Sequence, residues 1–410
     1  MTDDLRINSD RMLATFNELA VIGATEKGGV HRPTFSEAHI AARKWFQEQV
    51  ERSGLKFNID GAGNHSAVLE GETSKETLLL GSHLDSVPDG GRFDGALGVI
   101  AALEVLKTLR ENGIRPRVRL EAIDFTDEEG SLVGFLGSAA LAGHLDPHLL
   151  QSPRGGRENL LAGMKRARLT EAGILSAARP AGSLAGYLEL HIEQGKRLER
   201  AGIDIGVVSA IVGISSYRLS FLGRADHAGS TTMDDRLDAA LGASAFTLSA
   251  RERVMRDFPG CVVNVGAMEF KPGAFNIVPA QVEVSLEFRS ADGQEFDRLD
   301  SSLLALARSE ATRFGLELRA DFLGRHAPTP MSEPVQQAIS DSCETLGLEH
   351  TSLVSGAGHD GQSLAGLCPA GMIFVPSVNG TSHSPHEFTR WEDCVNGANV
   401  LLQAVLRLLK

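Results

Sequence analysis

The sequence predicts an α/β protein whose mostly parallel sheet is interrupted by a smaller α+β module. Three observations predict it. At 410 residues the chain is longer than one hydrophobic core usually supports, so two domains are expected. Between 77 and 143, strand-like and helix-like stretches alternate, the rhythm of a sheet covered by helices. After about residue 209 the apolar pattern changes to period two, which marks a sheet with one solvated face.

The elements follow in order. Residues 34–53 carry apolar side chains at helical spacing and begin near Ser36, a suitable cap. An extended stretch follows, then 77–81 (TLLLG), a short apolar run of the buried-strand kind. Residues 95–112 (GALGVIAALEVLKTLREN) read as helix, 118–125 as strand and 137–143 as helix. In the second module 216–222, 262–270 and 282–289 are strands; in the last, Val282, Val284, Leu286 and Phe288 alternate with polar residues. Long helices are expected at 235–257 and 294–314, and helix returns at 333–346, followed by an apolar run at 371–376 and a terminal helix at 391–409. The simplest account is an α/β domain made of 1–209 and 326–410, with an α+β insert at 210–325. The basic segment 151–179 reads as irregular and suggests no function.

Composition narrows the class. The chain is 42% hydrophobic and 23% charged, as in ordinary globular proteins. A net charge of −13 argues against nucleic acid or an anionic membrane as partner, since both need a basic footprint. No apolar run approaches the ~18 residues of a membrane span, and the start, MTDDLRINSD, lacks a signal-peptide core. Cys261, Cys343, Cys368 and Cys394 are scattered, form no CxxC pair and read as reduced thiols. A cytoplasmic enzyme is the expectation.

Four motifs bear chemistry. In GSHLDSV, His83 follows a buried strand at its carboxyl end, where α/β sheets place ligand sites. Asp85, two residues on, faces the same way and is suited to fixing the imidazole ring. Asp94 lies in the glycine-rich turn GGRFDG, which lets its carboxylate swing towards a metal. In DFTDEEG, Asp127, Glu128 and Glu129 crowd a second strand end and repel one another unless positive charge sits among them. Taken singly, the first motif is a weak signal and the second reads as a solvated acidic turn. Together in one sheet they fit a two-metal hydrolase, which needs a bridging carboxylate (Asp94), a terminal one (Glu129) and a proton shuttle (Glu128). In ELHIEQG, His191 and Glu193 share a strand face, and in GTSHSPHE either His383 or His386 is spaced to ligate. Within the insert, DHAGS at 226–230 is a turn after a strand, and Asn276 precedes an apolar run. Arg289 closes an alternating strand and suits either a substrate carboxylate, held bidentately, or a structural ion pair.

This ordered set, from GVHRPTFSEAH at 29–39 to TSHSPHE at 381–387, resembles the M20 metallopeptidase-like superfamily and its carbamoylase branch. That branch holds N-carbamoyl-L-amino acid hydrolases, β-ureidopropionase, allantoate amidohydrolase and ureidoglycolate amidohydrolase. The resemblance implies two divalent ions (zinc, manganese, cobalt or nickel) in a catalytic domain, and a lid insert that forms a homodimer. By position, His83 would bind one metal, Asp94 would bridge, Glu129 and His383 would hold the other, and His191 would be the remaining ligand. A histidine at 191, where peptidases and deacylases of the superfamily have a carboxylate, favours the carbamoylase branch. Glu128 would be the general base, and Asp85, beside the metal ligand His83, is counted with the catalytic residues. Gln194, His227, Asn276 and Arg289 match substrate-binding positions: Asn276 and Arg289 would grip the carboxylate, and His227 would reach the partner subunit's site to stabilise the oxyanion. The loop 355–361, with Gly358 in it, would offer backbone groups to the substrate. Two departures leave substrate identity open: Thr232 where relatives often have proline, and Ser290 where histidine is common.

The expected function is therefore hydrolysis of the carbamoyl or ureido C–N bond of a small ureido carboxylate by a metal-activated water. The competing readings are a co-catalytic aminopeptidase or N-acyl deacylase with the same core, and a binding protein that kept the fold. The last predicts lost ligands, and none is missing.

Overall fold

The structure, a computed structural model, describes residues 3–73 and 75–409. Chain contacts divide it into two compact units, Met1–Ser209 with Met331–Lys410, and Ala210–Pro330. Among the described residues no helix is long and apolar enough to cross a membrane.

In the first unit the strands lie in the spatial order Lys56–Ile59, His65–Leu69, Arg119–Phe125, Thr77–His83, Leu184–Ile192, Ala370–Val375 and Ile205–Ile211, with His350–Ser355 paired to the last. The four central strands run parallel to one another, and antiparallel pairs close the edges. Parallel strands are covered on both faces and read as continuous apolar runs. Thr77–His83 is buried at all seven positions, as TLLLG implies. The helix Ala96–Glu111 is buried along almost its whole length, and with Trp391–Leu408 it fills the main core. Because the central strands are parallel, His83, Phe125, Ile192 and Val375 all finish at one edge of the sheet. That common edge sets where the chemistry can be.

The helix Glu37–Arg52 starts as the pattern implies, with Ser36 Oγ accepting a bond from His39 N at 3.2 Å. The segment 151–179 is more regular than expected: it contains helices Arg157–Ala167 and Glu171–Leu175. The first begins at Gly156, with no capping side chain, so the sequence holds no start signal. Its Leu160, Gly163 and Met164 pack against Phe35, Leu132 and Leu136. The basic residues there have structural work. Arg157 pairs with Glu171, Arg179 is bidentate on Glu121 at 2.6 and 2.8 Å, and Arg166 Nε donates to the Phe35 carbonyl.

The second unit is a four-stranded antiparallel sheet in the order Glu317–His326, Gly213–Leu222, Gln281–Ser290, Val262–Lys271. Helices Ala239–Asp257 and Gly293–Arg313 cover one face. The alternation read at 282–289 holds: Val282, Val284, Leu286 and Phe288 are buried in the unit's core while their neighbours are only half-buried.

Candidate active site

The shared sheet edge gathers residues that are far apart in sequence. Asp94 is the meeting point. One carboxylate oxygen, Oδ1, lies 3.1 Å from His191 Nε2 and 3.5 Å from His83 Nε2. The other, Oδ2, lies 3.5 Å from His383 Nε2, which is itself 3.4 Å from Glu129 Oε2. Two groups with metal-ligand geometry therefore share Asp94: His83–Asp94–His191, fully buried, and Asp94–Glu129–His383, which opens outward through the half-exposed His383. His386, the alternative on spacing, belongs to neither group. Glu128 Oε2 stands 3.5 Å from His83 Nε2, beside the first group.

The glycines make the approach possible. Gly95 has φ +62°, and a Cβ there would lie 2.4 Å from His83 Cε1. At Gly91 a Cβ would strike the Glu387 carboxylate. Glu387 in turn accepts bonds from the Phe93 and Asp94 amides at 2.9 and 3.0 Å, fixing the Asp94 turn. Burial and the neighbouring Asp94 push the Glu387 carboxyl up to about 7. The acidic turn divides its carboxylates. Asp127 is consumed by the turn itself, accepting from the amides of Val133, Gly134 and Leu132 at 2.5, 3.0 and 3.2 Å. Glu128 and Glu129 alone remain to face the site.

Asp85 sits differently from the sequence expectation. Its backbone carbonyl, not its carboxylate, meets His83 Nδ1 at 3.0 Å; the carboxylate is 3.7 Å away. The carboxylate instead receives Thr34 Oγ1 at 2.9 Å and the amides of Glu128 and Glu129, each at 3.3 Å. A short side chain two residues along a strand end cannot reach back to the ring as easily as its own carbonyl can. Asp85 thus ties the acidic turn to the His83 strand.

The donor set suits divalent ions. A carbonyl only accepts, so His83 Nδ1, on the Asp85 carbonyl, and His191 Nδ1, on the Ile192 carbonyl at 2.9 Å, are assigned as the protonated nitrogens. Each ring then turns an unprotonated Nε2 towards Asp94, His191 Nε2 also accepting from Gly95 N at 3.3 Å, and a cation between nitrogen and carboxylate lone pairs makes that approach favourable. Although burial opposes it, Glu128, Asp94 and Asp85 push the His83 imidazole well above its ordinary value. Burial, against the pull of His83, pushes Glu128 well above the carboxylate range, and burial and Asp94 do the same to Glu129. A field that draws protons to these atoms also draws a metal ion.

Sequence reasoning missed several supporting groups. Arg43 Nε pairs with Asp124 Oδ2 at 2.8 Å, and Arg43 also donates to the Phe125 carbonyl and Thr126 Oγ1. Asp124 Oδ1 accepts from Leu84 N at 2.8 Å, so one buried pair locks the two strand ends that bear the site. A charged residue on the buried face of its helix, beside Ala42, Phe46 and Val50, was the available signal. His359, in the glycine-rich loop, packs edge-on against His191 with ring centroids 4.5 Å apart, and its Nε2 meets Ser355 Oγ at 3.0 Å. Gly358 lies beside it, its Cα close to the Phe135 ring. Gln194, expected to face substrate, donates through Nε2 to Asp94 Oδ2 at 2.9 Å and to Ser382 Oγ at 3.2 Å.

In the second unit, His227 and Asn276 come together. His227 bridges Ile277, and Ala228 N donates to the Asn276 carbonyl. His227 Nδ1 accepts from the Gly229 and Ser230 amides at 3.1 and 3.2 Å, which leaves Nε2–H pointing from an exposed ring. Arg289 is elsewhere. It pairs with Glu287 at 2.8 Å and lies at the far end of the strand Gln281–Ser290 from Asn276. Gln281 to Arg289 is eight strand steps, about 26 Å, and Asn276 lies beyond the Gln281 end, so these two expected carboxylate ligands can share one carboxylate only if they come from different chains.

The chain matches peptidase family M20/M25/M40 over residues 79–407. It is 38% identical to an N-carbamoyl-L-amino acid amidohydrolase of Geobacillus stearothermophilus across 98% of this chain and 99% of that protein. It is 32% identical to an allantoate amidohydrolase of Bacillus subtilis (strain 168) across 95% of each. Among solved structures, an amidase of the hydantoinase/carbamoylase family from Burkholderia multivorans has a TM-score of 0.91 at 32% identity, with 98% of each chain covered.

Proposed function

The chain belongs to peptidase family M20/M25/M40, and we propose from that premise that it is a two-metal amidohydrolase of N-carbamoyl or ureido carboxylates. The observation that carries this reading is the division of Asp94 between two ligand groups with Glu128 alongside. His83, Asp94 and His191 would hold one ion, and Asp94, Glu129 and His383 the other. Such ions would polarise the ureido carbonyl and make water nucleophilic at neutral pH. Glu128 accepts the proton of the attacking water and delivers it to the leaving nitrogen. Asp85, Arg43 and Glu387 keep these side chains in place. Zinc, manganese, cobalt and nickel all suit His/Asp/Glu ligands. The four free, buried cysteines suit a reducing compartment such as the cytoplasm.

Chelation is expected to abolish ammonia release from a panel of N-carbamoyl amino acids, allantoate and ureidoglycolate, and about two equivalents of divalent ion to restore it. Faster turnover of N-acetyl amino acids or dipeptides would replace this reading with a deacylase or peptidase.

The separation of Asn276 from Arg289 supports a homodimer in which each active site draws on both chains: Arg289 from one, His227 and Asn276 from the other. His227 Nε2–H then acts on the developing oxyanion. His227→Ala is expected to lower turnover by about 10²–10³ with metal content unchanged. Mixed dimers of His227→Ala and Glu128→Gln chains should regain part of the activity, because one of the two sites is then intact. Failure to regain it, in dimers verified as mixed, excludes action across the subunits.

A further inference from the structure

At the carboxyl end of the helix Ala96–Glu111 lies a cavity of about 300 Å³, lined by Arg11, Arg52, Lys107 and Arg110 with Glu18 and Glu111. Lys107 is the unusual member. It is only 7% exposed, and among the described residues its ammonium makes no hydrogen bond or ion pair. The acids around it are already engaged. Arg11 takes Glu104 through two bonds of 2.6 and 2.8 Å and also pairs with Glu111. Glu18 accepts from the Trp45 indole and the Gln49 amide. Burial pushes the Lys107 ammonium below its ordinary value, against the pull of Glu104. The Lys107 stem is buried while its ammonium faces the cavity, where Glu104, Glu111 and Glu18 attract it from a distance and no carboxylate contacts it directly. The remaining walls add Arg52, exposed and loosely paired with Glu48 at 3.8 Å, and Arg110, which anchors to the Ser53 carbonyl at 2.7 Å. The lining itself carries four cations and two carboxylates, on a chain of net charge −13.

We propose that this cavity is a binding site for a small oxyanion, phosphate- or carboxylate-bearing, with the Lys107 ammonium as its inner contact and the Arg52 guanidinium at its mouth. It is separate from the chemistry: Asp94 precedes the amino end of the same helix, and sixteen residues of helix span about 24 Å. An occupant here tightens the packing of the helices Ser9–Ala20, Glu37–Arg52 and Ala96–Glu111 without touching substrate.

The test is calorimetric titration of the metal-loaded enzyme with inorganic phosphate and, separately, malonate, against chloride at matched ionic strength. Lys107→Met and Arg52→Gln enzymes are titrated in parallel. Phosphate or malonate bound at the metals is common to all three proteins, so differences between them report on the cavity. The wild type should show one more site for at least one probe than Lys107→Met, and Arg52→Gln should weaken that site by about 10- to 100-fold, the loss for one charge-assisted hydrogen bond. Preference for phosphate or malonate identifies which oxyanion chemistry the cavity takes. In buffer free of both, Lys107→Met should melt no lower than wild type, since Met keeps the buried stem and no hydrogen bond or ion pair is lost, and its anion-induced rise in Tm should vanish. Equal binding of both probes by wild type and Lys107→Met overturns the proposal. So does a lower Tm of Lys107→Met with binding unchanged, which makes Lys107 a structural residue.

Discussion

Asp94→Ala is expected to empty both metal positions at once, whereas His383→Ala empties one. The expectation follows from the two oxygens of a single carboxylate. Oδ1 faces His191 and His83, Oδ2 faces His383, and no other residue belongs to both groups. Without Asp94 the first group keeps two imidazoles and the second keeps Glu129 with one half-exposed histidine, too few ligands for tight binding of a divalent ion. Turnover should fall to background, because accelerations of at least about 10⁶-fold are lost together with the Lewis acids. Metal content after dialysis, measured by mass spectrometry, reads the result. Retention of two ions in Asp94→Ala would show that the carboxylate is not shared. A preserved far-ultraviolet CD spectrum checks that the fold survives the loss of this carboxylate and of its bonds from Gln194 and Ser382.

The sequence made some of this legible and hid the rest for physical reasons. Periodicity reports on which residues face a core, so the buried strand before His83 and the alternation at 282–288 were readable. The chemistry at the strand ends was readable because parallel strands finish together, so motifs distant in sequence converge. What stayed hidden depends on partners far along the chain. Glu387 binds amides almost three hundred residues upstream. Arg43 reaches Asp124 across the sheet edge. Spacing alone admitted both His383 and His386; the resemblance chose His383, and the path of the turn brings that residue to Asp94 and Glu129. That Asn276 and Arg289 stand at opposite ends of one hairpin, and so could share a carboxylate only between chains, is a length that no local pattern encodes. Asp127 looked equivalent to its neighbours, yet its backbone, at φ +59°, turns the carboxylate onto amides of its own loop.

That last distinction leaves Glu128 and Glu129 as adjacent residues with separable roles, and Glu128→Gln is expected to separate them. Glu129 Oε2 shares His383 with Asp94, whereas Glu128 stands beside His83 and completes neither ligand group. The amide keeps the shape of the carboxyl side chain and its place in the pocket, but cannot take a proton from water at neutral pH. Glu128→Gln should therefore retain both ions while kcat falls by about two to four orders of magnitude, the range of a lost general base. KM should change little, because the substrate carboxylate is held elsewhere. Glu129→Gln should behave in the opposite sense and lose one ion, with activity recovering in excess metal. If Glu128→Gln sheds metal while Glu129→Gln keeps it, ligand and base are exchanged. The two glutamates share a backbone anchor in the Asp85 carboxylate, 3.3 Å from each amide, so neither substitution moves the other residue, and the comparison isolates side-chain chemistry from position.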